Sequence, residues 1–284
     1  DAAAEVAGCA GTAWDVKLVS QGRAASFATN SGPNGSGRGA AFGGPFEHTW
    51  AQLLTWPNAN TDPTSGQPVP SNAYTADSAR NAFTGTNPIG SAAFEYSVNN
   101  DNRLYPTYRV FLVTSDASNA DASGATVPVY AVQLVGYYGG AGGTTSGHVS
   151  LQWIDRAQPG TIRKATVDAT AGWAYFDLVS GTTSSETGTW HLAFNRYNVK
   201  TNSGISGTGT VGGFVGSTPS GLYDANGSPV ASAFSSATPE SMAAQLTATQ
   251  TAPAAASNWI KDAASSTLAP AYQGTYPQPL DYGW

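Results

Sequence analysis

Thr29-Asn-Ser-Gly-Pro-Asn-Gly-Ser-Gly37 returns later in the chain as Thr201-Asn-Ser-Gly-Ile-Ser-Gly-Thr-Gly209. The shared pattern is T-N-S-G-x-x-G-[ST]-G. Each copy follows a Trp-led apolar stretch, Trp14-Asp-Val-Lys-Leu18 and Trp190-His-Leu-Ala-Phe194, and each precedes a glycine-flanked aromatic, Phe42 or Phe214. A repeat that brings its flanking segments with it marks two related units. Asn and Gly tolerate positive φ, so such a run forms a turn whose backbone amides converge. The glycines therefore read as turn formers. A phosphate loop would need a Lys-Ser/Thr and a following helix, and neither is present.

Outward from the two turns, the chain reads as strands. Tyr108–Val113 and Val129–Val135 are rich in β-branched and aromatic residues. Gly147–Trp153 and Trp173–Leu178 alternate apolar with polar. The glycine-rich stretch 136–147 reads as a hairpin connection. Helical signal is confined to Pro239–Leu246 behind a Thr238 cap, and to a weaker case at Ala255–Ala264. Residues 57–72 and 217–230 read as loops. The expected fold class is all-β or β-dominated α+β, with antiparallel sheets and glycine-rich turns in two related units.

The expected division is a first unit at 1–155, a linker at 156–165 around Pro159-Gly160, and a second unit at 166–284. The units are not whole copies. The second has an extra strand, 173–178, ahead of its Trp-led strand. It has no counterpart of the strands at 108–113, 129–135 and 148–153. The first thus lacks an opening strand and the second lacks closing strands.

Composition narrows the function. Charged residues make up 11% of the 284, against about 25% in an ordinary soluble domain. Ser, Thr, Asn and Gly must cover the surface, which suits a secreted or cell-surface protein. A net charge of −6 with no basic run argues against nucleic acid. No apolar run approaches the roughly 18 residues of a transmembrane segment. Cys9 is the only cysteine, which excludes an internal disulfide and a Cys-based metal cluster. Val6-Ala-Gly-Cys9 has the form of a lipoprotein cleavage box, but Asp1–Glu5 is too short and too acidic to be its apolar signal.

Two blocks of sequence resemble the HmuY-like family. Val167–Leu178, Trp190–Gly204, Gly207 and Gly212-Gly213 resemble the opening of such a domain. Phe94-Glu-Tyr96, Tyr108–Val113, Tyr130–Tyr138 and Gly147–Leu151 resemble its closing half. The resemblance implies a β-rich, bacterial, surface or secreted protein, with haem as cofactor and an outer-membrane receptor as partner. Family haem ligation uses histidines on facing loops, one of them just after the strand matching Phe94–Tyr96. Here that turn is Ser97-Val-Asn-Asn-Asp-Asn-Arg103, without histidine or methionine.

The groups able to ligate haem iron are therefore few. His48, in the aromatic stretch Pro45–Trp50, and His191, beside Trp190, are the candidate cofactor-binding residues. His148 reads as a sheet-surface residue and Met242 as core filling. No pair stands at metal-ligand spacing. No catalytic motif or carboxylate pair stands out, so the chain reads as non-catalytic. Trp50, Trp56, Trp259, Tyr272 and Tyr276 lie in irregular segments and are candidate surface contacts. The alternative function is a structural or adhesive subunit, because units missing strands expose sheet edges through which chains self-associate into a filament.

Overall fold

The computed structural model describes residues 11–21, 24–41, 74–120, 126–250 and 258–266, with a few single positions between them. It is 43% strand and 9% helix, which makes it β-dominated as expected. The chain forms two compact units, one of residues 80–263 and one of residues 1–79 with 264–284.

In the unit of residues 1–79 with 264–284, β1 (Val16–Gln21) and β2 (Ala24–Thr29) form a two-stranded antiparallel sheet in which Val16 faces Thr29 and Leu18 faces Phe27. A single turn of 3-10 helix at Gly32–Asn34 follows. Short strands β3 (Ser78–Arg80) and β15 (Ala263–Ser265) pair with each other.

The unit at 80–263 contains a hairpin, β4 (Phe94–Tyr96) with β5 (Leu104–Pro106), and two larger antiparallel sheets. The larger has five strands: β6 (Val110–Thr114), β7 (Val129–Gly139), β8 (Thr145–Asp155), β9 (Gln158–Asp168) and β14 (Gly212–Ser217). Their order is β14-β6-β7-β8-β9. The smaller holds β10 (Ala174–Asp177), β11 (Thr182–Ser184), β12 (Leu192–Asn195) and β13 (Asn198–Thr201), in the order β11-β10-β12-β13.

The run Val110–Val113 shows why the five-stranded sheet reads as continuous apolar sequence. Period-two alternation sends Phe111 and Val113 to one face and Val110 and Leu112 to the other, and both faces are covered. Phe111, Val132, Leu151 and Trp153 join Phe176, Leu192 and Phe194 of the smaller sheet in the main core. Trp153 meets Phe176 edge-on at 5.4 Å. On the other face, Val110, Leu112 and Ile154 pack with Leu246 and Trp259. Leu246 comes from α2 (Pro239–Thr247), which begins with a reciprocal Thr238–Ser241 cap. The preceding α1 (Ala231–Ser236) buries Phe234 against Tyr108 and Leu222. The expected glycine-rich hairpin is present: Gly140, Gly142 and Gly143 have positive φ between β7 and β8.

Three expectations need correction. Residues 156–165 are not a linker. They form the β8–β9 turn and the first part of β9, whose Arg163 faces Trp153 in register. The missing closing strands of the 166–284 segment are present within the chain, since β14 pairs with β6, with Phe214 opposite Leu112. The two halves were complementary because they build one sheet. Finally, Ala255–Ala264 is not an α-helix over its described part: the Asn258 amide closes a single 3-10 turn on the Ala255 carbonyl, after which Ile260 bridges to Gly213 and β15 begins at Ala263.

Candidate functional site

The repeated turn is a polar clasp, built twice. In the second copy the Thr201 amide donates to Asp262 Oδ2 at 3.1 Å and the Thr201 hydroxyl donates to Oδ1 at 2.6 Å. The Ser203 hydroxyl accepts from the Asp262 amide and lies 2.9 Å from the Thr201 hydroxyl. Asn202 ties the turn to its strand, donating to the Trp190 carbonyl and accepting from the Gly209 amide. The first copy repeats this with Thr29, Ser31 and Asp77. There Asn30 donates to the Trp14 carbonyl and accepts from Gly37.

The glycines follow from the same geometry. Gly32 and Gly204 have φ of 52° and 56°, and a side chain on either would collide with the carbonyl of Asp77 or Asp262. Side chains at Gly35 and Gly207 would collide with the Asn30 or Asn202 amide oxygen. Each fixed letter of the pattern thus has a task. The aspartates were missed because they lie 48 and 61 residues downstream. The only sequence signal was the shared Asp-[Ser/Ala]-Ala at 77–79 and 262–264. Burial raises the Asp262 pKa, against the opposing hydrogen bond from Thr201.

The candidate ligands fall in different places. His191 is 3% exposed. Its Nδ1 lies 3.0 Å from Asp177 Oδ1, at ion-pair distance but outside hydrogen-bonding angles, and its ring meets Tyr130 edge-on. His148 lies on β8, with Nδ1 3.2 Å from the Thr145 carbonyl and Nε2 3.8 Å from Asp168. Met242 packs against the Tyr108, Leu222 and Phe234 cluster. His48 and Cys9 lie outside the described residues, as do Trp50, Trp56, Tyr272 and Tyr276. Trp259, expected as a surface contact, is buried against Phe214, because the Ile260–Gly213 bridge seats its indole on the sheet.

Burial lowers the His191 pKa and outweighs the nearby Asp177. The folded chain therefore binds this proton less readily than the unfolded chain does. The group's full contribution to stability is present above the ordinary value of 6.5 and is lost as the pH falls through it toward the folded value. The urea midpoint should drop between about pH 7 and 5. His191→Gln, which does not titrate in that window, should drop less.

Two of the cavities in this unit are lined by described residues. One, of about 360 Å³, is lined by Val135, Ser150, Leu151, Lys164, Thr166 and Pro239 among others, and presents no imidazole, thioether, thiolate or phenol. The other, of about 190 Å³, presents Tyr130, whose hydroxyl is pushed up to about 12 by burial and by Asp155 and Asp177. A phenolate ligand is disfavoured there. The turn at 97–103 is closed by its own side chains, with Asn99 and Asp101 both bonded to the Tyr105 hydroxyl. Neither of these two cavities presents an imidazole, thioether or thiolate to haem iron. Among the described residues, no group of three or more His, Cys, Asp or Glu is placed to hold a metal ion, and no helix is long and apolar enough to cross a membrane.

These features define a β scaffold of two packed sheets, fastened by a buried Thr–Asp–Ser clasp. The family model described as HmuY protein matches residues 169–278. The chain is HmuY-like over that stretch, which contains the Trp190 copy of the clasp and not the Trp14 copy. No curated protein and no solved structure matches.

Proposed function

We propose that this is a non-catalytic binding protein of HmuY-like type, secreted or held at the bacterial surface. The observation that carries the reading is the family match over residues 169–278, and the scarcity of charge accords with it. Haem enters through the resemblance alone. Because His191 is buried against Asp177, the haem reading rests on His48. Haemin titration followed by absorption tests it. A Soret band that survives His191→Ala and disappears in His48→Ala supports haem capture. Unchanged free-haemin spectra for all three proteins remove haem as the ligand.

A second reading, a structural or adhesive subunit that assembles through sheet edges, is favoured by one observation. Val16 and Leu18, on a strand paired on one side only among the described residues, are 57% and 59% exposed. Concentration-dependent polymers in light scattering would support it, and a monomer at high concentration would end it.

A further inference from the structure

The duplicated clasp gives the chain an internal template for the surroundings of β1. With Thr29 set on Thr201, the registers superpose. Val16 faces Thr29 as Leu192 faces Thr201, Lys17 faces Ala28 as Ala193 faces Lys200, and Leu18 faces Phe27 as Phe194 faces Val199. Outside the strands the match continues, since the Asn30 amide donates to the Asp15 carbonyl as the Asn202 amide donates to that of His191.

The surroundings differ. On β12 the edge away from β13 is taken by β10, with Ala174, Tyr175 and Phe176 opposite Phe194, Ala193 and Leu192. Leu192 and Phe194 are completely buried, whereas their counterparts Val16 and Leu18 are more than half exposed. Among the described residues, β1 has β2 as its only partner.

A second, independent observation points to the same edge. The indole N–H of Trp14 is buried and has no hydrogen-bond partner, although the residue is only 5% exposed. Its counterpart on Trp190 donates to the carbonyl of Glu186, in the segment that follows β10 and β11. Trp190 also packs edge-on against Tyr175 of β10, at 5.0 Å. Among the described residues, the first copy thus has an unpaired edge, an uncovered apolar face and an orphaned donor, at the positions that β10 and the segment after it satisfy in the second. A buried donor without an acceptor costs about 1–3 kcal/mol, and an unpaired apolar edge is a template for strand addition.

We propose that β1 is the acceptor for an extended segment of another polypeptide, which adds antiparallel to it as β10 adds to β12. The incoming strand carries a small residue over Leu18 and an aromatic over Val16, spaced two apart as Ala174 and Phe176 are. An aromatic lies between them on the opposite face, directed at Trp14 as Tyr175 is at Trp190. This gives the assembly reading a specific site and rests on it.

The test uses the full chain and a synthetic peptide with the sequence of residues 171–187. The expected result is saturable one-to-one binding by fluorescence anisotropy, with slowed hydrogen exchange at the β1 amides that face away from β2. Leu18→Asp, at an exposed position that folding tolerates, should weaken binding at least tenfold. So should Phe176→Ala in the peptide. Absence of binding, or binding that survives Leu18→Asp, overturns the proposal. Light scattering of the chain alone separates the two ideas. A monomer that binds the peptide keeps the site and ends self-assembly. Polymers that persist in Leu18→Asp keep assembly and overturn the site.

Discussion

Gly204→Ala should destabilise the 80–263 unit by at least about 3 kcal/mol, enough to remove a large part of an ordinary domain's stability. Two effects add. The residue has φ of 56°, where any side chain costs about 1–2 kcal/mol through its contact with the following carbonyl. The new methyl would also meet the Asp262 carbonyl. That oxygen accepts from the Ile205 amide at 3.1 Å, so it cannot retreat without giving up a hydrogen bond in the clasp. Gly227 provides the control. Its φ is 80°, and nothing lies within 4 Å of the position its side chain would occupy. Gly227→Ala should cost only the conformational strain, about 1–2 kcal/mol. Denaturant midpoints for the two variants, read by a probe within the 80–263 unit, check the difference. Equal losses would mean that positive φ, and not the clasp, explains the glycine at 204.

Local chemistry was legible in the sequence and distant chemistry was not. The Trp-led strand, the turn behind it and the role of its glycines could be read because each depends on residues within about a dozen positions. The aspartate that closes each turn could not, since nothing local distinguishes Asp77 or Asp262 from a solvated carboxylate. Strand identity at 108–113 and 129–135 was plain from β-branched and aromatic content. Their partnership with Phe214 was not, because an edge strand does not record in its own residues which strand will pair with it. The apparent gaps at the two ends of the expected units arose from this. Trp259 was misread for a related reason. Irregular sequence suggested exposure, whereas one bridge from Ile260 to Gly213 places its indole on the sheet. His191 was legible as a residue type able to ligate iron, but its burial against Asp177 and Tyr130 depends on two strands that the sequence does not pair.

Asp262→Ala should cost about 2–6 kcal/mol, since it leaves two buried donors without an acceptor at about 1–3 kcal/mol each. The substitution leaves the Thr201 amide and hydroxyl without their acceptor in a site where Thr201 and Ser203 are fully buried. Adding Thr201→Val to Asp262→Ala should cost less than the sum of the single losses, because the hydroxyl orphaned in one variant is absent in the other. Additive losses would show that Thr201 and Asp262 do not act together. Asp262→Asn separates charge from shape. Burial raises the Asp262 pKa, so the group's contribution is complete below the ordinary carboxylate value of 3.8 and is lost as the pH rises through the folded value. The stability advantage of the wild type over Asp262→Asn should therefore be greatest in acid and shrink toward neutrality. The same comparison at His191 runs the other way, since the neutral imidazole is the form the fold prefers. Urea midpoints across about pH 3 to 7 distinguish the two groups by the sign of their slopes. An advantage at Asp262 that grows with pH would mean that the clasp holds an ionised carboxylate more tightly than its burial opposes it.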